Sequence, residues 1–122
     1  MFQVNGDTGD IICRQGDSGD ITFTGIDKSK AYQVYFSIYN SKRKIIHELH
    51  GVPYEGLITF GLTPEITDKL VVPIGEKTTL YYYGVKICLP DENYEDTLVV
   101  GNKEITALNK ILVYPKIVEG TK

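Results

Sequence analysis

The sequence contains no tryptophan, one methionine and only two cysteines in 122 residues. Two cysteines cannot build the bridge framework of a disulfide-stapled secreted module. Both lie in apolar segments, Ile11-Ile12-Cys13 and Val85-Lys86-Ile87-Cys88-Leu89. The expectation is two reduced thiols packed as small hydrophobes. No run approaches the ~20 apolar residues of a membrane span, so membrane insertion is not expected. Residues 1–10 hold two aspartates and no apolar run. A secretory leader is therefore not expected, and the chain is expected to be cytosolic at synthesis. Clustered positive charge is scarce as well. The net charge is −3, and Lys42-Arg43-Lys44 is the single basic run. Nucleic-acid binders present a basic face because phosphate contacts dominate their affinity. Nucleic acid is thus not an expected partner, and the basic run fits a solvated turn.

What the sequence does contain leans toward β structure. Nine Tyr, four Phe and eleven Thr accompany many Val and Ile, the residues that suit pleated, half-buried surfaces. Twelve Gly and five Pro punctuate the chain. Turn signals recur at roughly 8–12 residue spacing, the pattern of a sandwich or barrel. The length predicts one domain over residues 1–122.

Two strands stand out. In residues 32–40, Tyr32, Val34, Phe36 and Ile38 share one face, and Gln33, Tyr35, Ser37 and Tyr39 share the other. In residues 78–89, Tyr81, Tyr83, Val85, Ile87 and Leu89 oppose Tyr82, Gly84 and Lys86. The predicted core is Tyr32, Val34, Phe36, Ile38, Tyr83, Val85 and Ile87. Shorter strands are predicted at Ile11–Arg14, Ile21–Thr24, Lys44–Leu49, Gly56–Phe60, Glu95–Val100 and Leu108–Ile117. Turns are predicted at Ser41-Lys42-Arg43, Pro90–Asn93 and Gly101-Asn102. Pro115 argues for an edge or a bend in the last run. Thr63 can cap a helix, Pro64 suits its first position, and Glu65 and Asp68 favour its positive end. That segment predicts a short helical turn between two sheets.

Three motifs invite a chemical reading and none sustains it. Gly16-Asp17-Ser18-Gly19 resembles the nucleophile segment of trypsin-like serine proteases. The chemistry needs a base on the Ser hydroxyl and a carboxylate behind the base. Here His47 and His50 both follow the Ser, whereas that family places its His before it. A tight turn with Gly at positive φ is expected instead. Asp7, Asp10, Asp17 and Asp20 offer hard oxygen ligands but lack the spacing of calcium loops, and Asx-type turns are expected. His47 and His50 are three apart, so on a strand they point to opposite faces and cannot share a zinc ion. No catalytic residue, metal ligand or cofactor is assigned.

Tyr35, Tyr39 and Tyr82 fall on the outward faces of the two best strands. Outward aromatics line protein interfaces or stack on sugars; equally, they form cross-strand pairs that stabilise a sheet. These three residues are the candidate interface.

The second half has a wider likeness. Ile58-Thr59-Phe60, Leu62 to Thr67, Tyr81 to Ile87 and Lys110 to Pro115 together resemble the N-terminal domain of upper baseplate and tail-fibre proteins of phages and prophages of Gram-positive bacteria. Arg14-Gln15-Gly16-Asp17-Ser18 looks like a variant of that family's opening. The resemblance covers about residues 10–118. It implies an all-β, immunoglobulin-like antiparallel sandwich with one short helical turn. It implies a virion structural role in a tail or baseplate, assembled in the host cytoplasm, with other tail proteins and further copies of itself as partners, and no catalysis. Such domains usually head a longer fibre, and this chain ends at Lys122, so attachment is the expected role. The rivals are a carbohydrate-binding module using the outward tyrosines and, more remotely, a small hydrolase. The strands at Leu98-Val99-Val100 and Leu108–Tyr114 carry few charges and are expected to be sheet edges that another chain covers.

Overall fold

The computed structural model describes residues 1–98, 100–101 and 109–116. Among the described residues nine strands follow one another: β1 (Phe2–Val4), β2 (Ile11–Arg14), β3 (Gly19–Phe23), β4 (Gln33–Tyr39), β5 (Ile45–Gly51), β6 (Ile58–Leu62), β7 (Thr79–Leu89), β8 (Tyr94–Leu98) and β9 (Asn109–Tyr114). A helical turn, α1 (Pro64–Thr67), lies between β6 and β7, and a 3-10 turn over Pro90–Glu92 joins β7 to β8.

Seven strands form one sheet in the order β1-β2-β9-β7-β4-β5, with β8 also paired to β7; β3 and β6 form the second. The run β9-β7-β4-β5 opposite β3-β6 reproduces the G-F-C-C′ sheet of a variable-type immunoglobulin sandwich. One pairing departs from a fully antiparallel sandwich: β2 runs parallel to β9, with Ile11 beside Ile111 and Arg14 beside Tyr114.

The predicted alternation holds the two sheets together. Val34, Phe36 and Ile38 of β4 are fully buried, as are Tyr83 and Val85 of β7. Ile21 and Phe23 of β3 are buried while Thr22 and Thr24 are exposed. Ile87 lies near the end of the long strand and is only partly buried against the core. Tyr32 is buried although β4 starts one residue later. The Phe36 ring lies 5.1 Å from Tyr83 beside it in the same sheet and, across the sandwich, 5.4 Å from Phe60 and 5.9 Å from Phe23.

Antibody domains staple the same two strands with a cystine. Here Phe23 of β3 meets Tyr83 of β7 at 6.1 Å instead. Two residues earlier, the Tyr81 hydroxyl donates to the Val71 carbonyl at 2.7 Å. Its position near the start of β7, reaching back to the segment between α1 and β7, is that of the tyrosine corner of this architecture.

The turns behave as their residues dictate. Thr63 caps α1 by accepting from the Ile66 amide, and Pro64 occupies its first position. Asn40 accepts from the amides of Lys42 and Lys44 at 2.9 Å, and Arg43 adopts φ 62° to close the β4–β5 turn. Gly16 takes φ +88° at the tight turn before β3. There the Thr67 hydroxyl donates to the Asp17 carbonyl at 2.8 Å, and the Asp17 carboxylate receives the N-terminal ammonium of Met1.

Several expectations are corrected. β1 has no counterpart in the sequence reading; three residues with one half-buried side chain are too short to show alternation. β6 begins at Ile58, because Glu55 and Gly56 both have positive φ and form a turn. The run ending at Tyr114 is not an edge, since β9 is flanked by β2 and β7; Pro115 follows it and cannot donate to a ladder. β8 is a pairing edge of five residues, but Glu95 and Asp96 put two charges on it. Val99, Asn102, Leu108 and Ile117, assigned above to these strands and turns, lie outside the described residues.

The two thiols are free and well apart in environment. Cys13 belongs to the core. Cys88 is buried on the other face of the large sheet, where its neighbours across the strands are Gln33 and Glu95. The expectation of an apolar setting therefore holds for Cys13 and not for Cys88.

Candidate functional site

The outer face of the large sheet carries the three candidate tyrosines. They are half-buried rather than exposed, because each packs against a cross-strand neighbour. Tyr35 stands between His50 of β5 and Lys86 of β7. Its ring stacks on the His50 imidazole at 4.5 Å with an 11° tilt between planes. His50 is held in turn by a hydrogen bond to the Gln33 side chain. Tyr39 faces Tyr82 across the β4–β7 pair, and Tyr82 faces Lys110 of β9.

These pairings make two ridges that cross the strands. One runs His50, Tyr35, Lys86, Thr97; the other runs Tyr39, Tyr82, Lys110. Tyr35 and Tyr39 are four residues apart on one strand, about 13 Å in Cα positions. Between the ridges lies a row of small or short groups: Glu48 of β5, Ser37 of β4 and Gly84 of β7. The result is a groove of about 320 Å³ with Tyr35 and Tyr39 on its flanks and Ser37 and Gly84 at its base.

Gly84 is the residue that keeps the groove open. A Cβ added there would meet the Tyr39 ring at 3.8 Å, an ordinary contact. The backbone tolerates a side chain at this point, and its absence leaves space rather than relieving strain. Ser37 is buried, and its hydroxyl donates to Glu48 Oε2 at 2.8 Å. That bond fixes the Glu48 carboxylate at one end of the groove. At the other side the Lys86 ammonium lies 3.8 Å from a Glu95 carboxylate oxygen, a solvent-exposed pair of small energetic weight.

Of the candidate residues, Tyr35 and Tyr39 therefore line one depression, while Tyr82 stands behind Tyr39. Ser37, Glu48, Gly84, Lys86 and Glu95 belong to the same site and were not singled out from sequence. Their signal was present: Ser37 and Gly84 fall on the outward faces of the two best strands. What sequence lacked was the register that sets them opposite one another.

The motifs set aside above have structural partners. The Lys69 ammonium donates to His47 Nδ1 at 3.0 Å. Desolvation, then the Lys69 charge, holds the His47 pKa below the ordinary histidine value. His47 and His50 face opposite sides of β5, the first opposite Ile38 and the second opposite Tyr35. In the β1–β2 loop Asn5 rather than an aspartate makes the Asx turn, accepting from the amides of Asp7 and Thr8. Asp10 accepts from the Lys110 amide at 2.9 Å. Among the described residues no group of three or more His, Cys, Asp or Glu side chains is placed to hold a metal ion.

A scan against protein-family models finds no matching family for this chain, and a search of curated proteins finds no matching relative.

Proposed function

We propose that this protein is a non-catalytic binding module that works through the outer face of its larger sheet, as a structural and attachment component of a phage or prophage tail or baseplate. The observation that carries the binding part is the Tyr35–Tyr39 groove. It offers aromatic surface, a small-residue base and fixed polar groups on a rigid sheet, and tyrosine-rich, half-desolvated patches are typical of protein interfaces. The virion part is supported by the resemblance in Arg14–Ser18, Leu62–Thr67, Tyr81–Ile87 and Lys110–Pro115. The partners on this reading are other tail proteins and further copies of the chain, joined by protein–protein contacts.

Carbohydrate binding is the second reading. It is favoured by two aromatic rings beside Ser37, Glu48 and Thr97 in one groove. Light scattering at micromolar concentration and a glycan-binding screen separate the two. The leading reading expects an oligomer that dissociates in the Tyr35→Ala, Tyr39→Ala double variant, with no glycan retained. A strict monomer that binds a defined sugar, and loses it in the same variant, would replace the assembly reading with the carbohydrate one.

A further inference from the structure

We infer that the groove between Tyr35 and Tyr39 is a receptor for an arginine side chain presented by a protein partner. The inference deepens the binding reading above and depends on it. Three side chains charged at neutral pH line the groove: Glu48, Glu95 and Lys86. Lys86 and Glu95 lie within 3.8 Å and offset one another. Glu48 is left as the uncompensated charge, and among the described residues no cation is paired with it. Its Oε2 is committed to the Ser37 hydroxyl at 2.8 Å, while Oε1 remains for a second donor. Among the described residues Arg14, His50 and Lys110 are the other basic groups on the strands of this face, and all three stand outside the groove, Arg14 over the Tyr114 ring and the others opposite Tyr35 and Tyr82.

The flanks select the kind of cation. A carboxylate at the end of a groove flanked by tyrosine rings suits a flat group that stacks on the rings and donates along an edge. The guanidinium does both, whereas an ammonium is a point charge with a tight hydration shell. The Tyr39 ring leans over Gly84, since it comes within 3.8 Å of the Cβ position there. The groove is thus a slot with a charged end.

The test uses the intact chain and L-argininamide as probe, read by backbone amide shifts in NMR. Saturable shifts at Ser37, Gly84, Tyr35 and Tyr39 are expected, with a Kd in the millimolar range for so small a ligand. Citrullinamide, the uncharged near-isostere, should give shifts at least about tenfold weaker at equal concentration. Gly84→Val should abolish them by filling the slot, and Glu48→Gln should weaken them about tenfold with the fold intact. Unlocalised shifts, equal response to citrullinamide, or full binding by Glu48→Gln would overturn the arginine assignment. Self-association lost in the Tyr35→Ala, Tyr39→Ala variant would still stand in that case. A monomer with no localised shifts would remove both readings.

Discussion

Truncating Phe36 to alanine tests the arrangement on which everything else depends. The side chain is fully buried in β4, and its ring meets rings from β3, β6 and β7. Phe→Ala changes in cores cost about 3–5 kcal/mol, as the lost transfer energy plus the cavity left behind. Here the neighbours come from both sheets and are pinned by their own ladders, so collapse into the hole is restricted. Each aromatic pair adds about 0.5–1.5 kcal/mol beyond its buried area. The expected loss therefore sits near the upper end, about 4–5 kcal/mol. That is a large share of the ~5–15 kcal/mol available to a typical domain. Urea unfolding followed by far-ultraviolet circular dichroism would read it. With a slope of about 2 kcal/mol per molar, the midpoint should fall by roughly 2 M. Phe36→Leu refills most of the volume and should cost less than half as much. Tyr35→Ala, one residue away on the outer face, should also cost less than half as much. A Phe36→Ala loss below ~1 kcal/mol, or equal losses for the two alanine variants, would refute the register of β4 and the sandwich built on it.

Three further outcomes follow from single contacts. Tyr81→Phe keeps the ring and deletes the hydroxyl bonded to the Val71 carbonyl; the melt should show a loss of about 1 kcal/mol. Gly19→Ala places a Cβ inside the volume of the Phe2 ring, so the Phe2 contact with β3 should be displaced, with new amide exchange at Phe2–Val4 and a loss of about 1–3 kcal/mol. Burial, with a smaller contribution from Asp17, raises the Cys13 thiol from 9.0 to about 11, and burial raises the Tyr83 hydroxyl as well. The folded state thus holds these protons more tightly than the unfolded chain. The Cys13 stabilisation is complete below pH 9 and is lost as pH climbs toward 11, by roughly 2–3 kcal/mol, and that of Tyr83 begins to be lost only above pH 10. A urea midpoint that stays level from pH 8 to 11 would contradict that burial, and Cys13 should resist thiol reagents until the chain is unfolded.

The sequence by itself determined the period-2 faces of β4 and β7, the capped turn at Thr63–Thr67 and the all-β class. Each depends on residues adjacent in the chain, where side-chain direction and local capping decide the outcome. The tertiary structure decided what depends on register and on distant pairing. Parallel pairing of β2 with β9 moved the last strand from the expected edge to the interior, an exchange over 100 residues of chain that no local pattern encodes. The opposite facing of Ser37, Glu48 and Gly84 is of the same kind. Period-2 alternation says which side a residue takes, but a shift of two along a neighbouring strand keeps every face and changes every partner. The tyrosines could be named from sequence for that reason, and the groove between them could not.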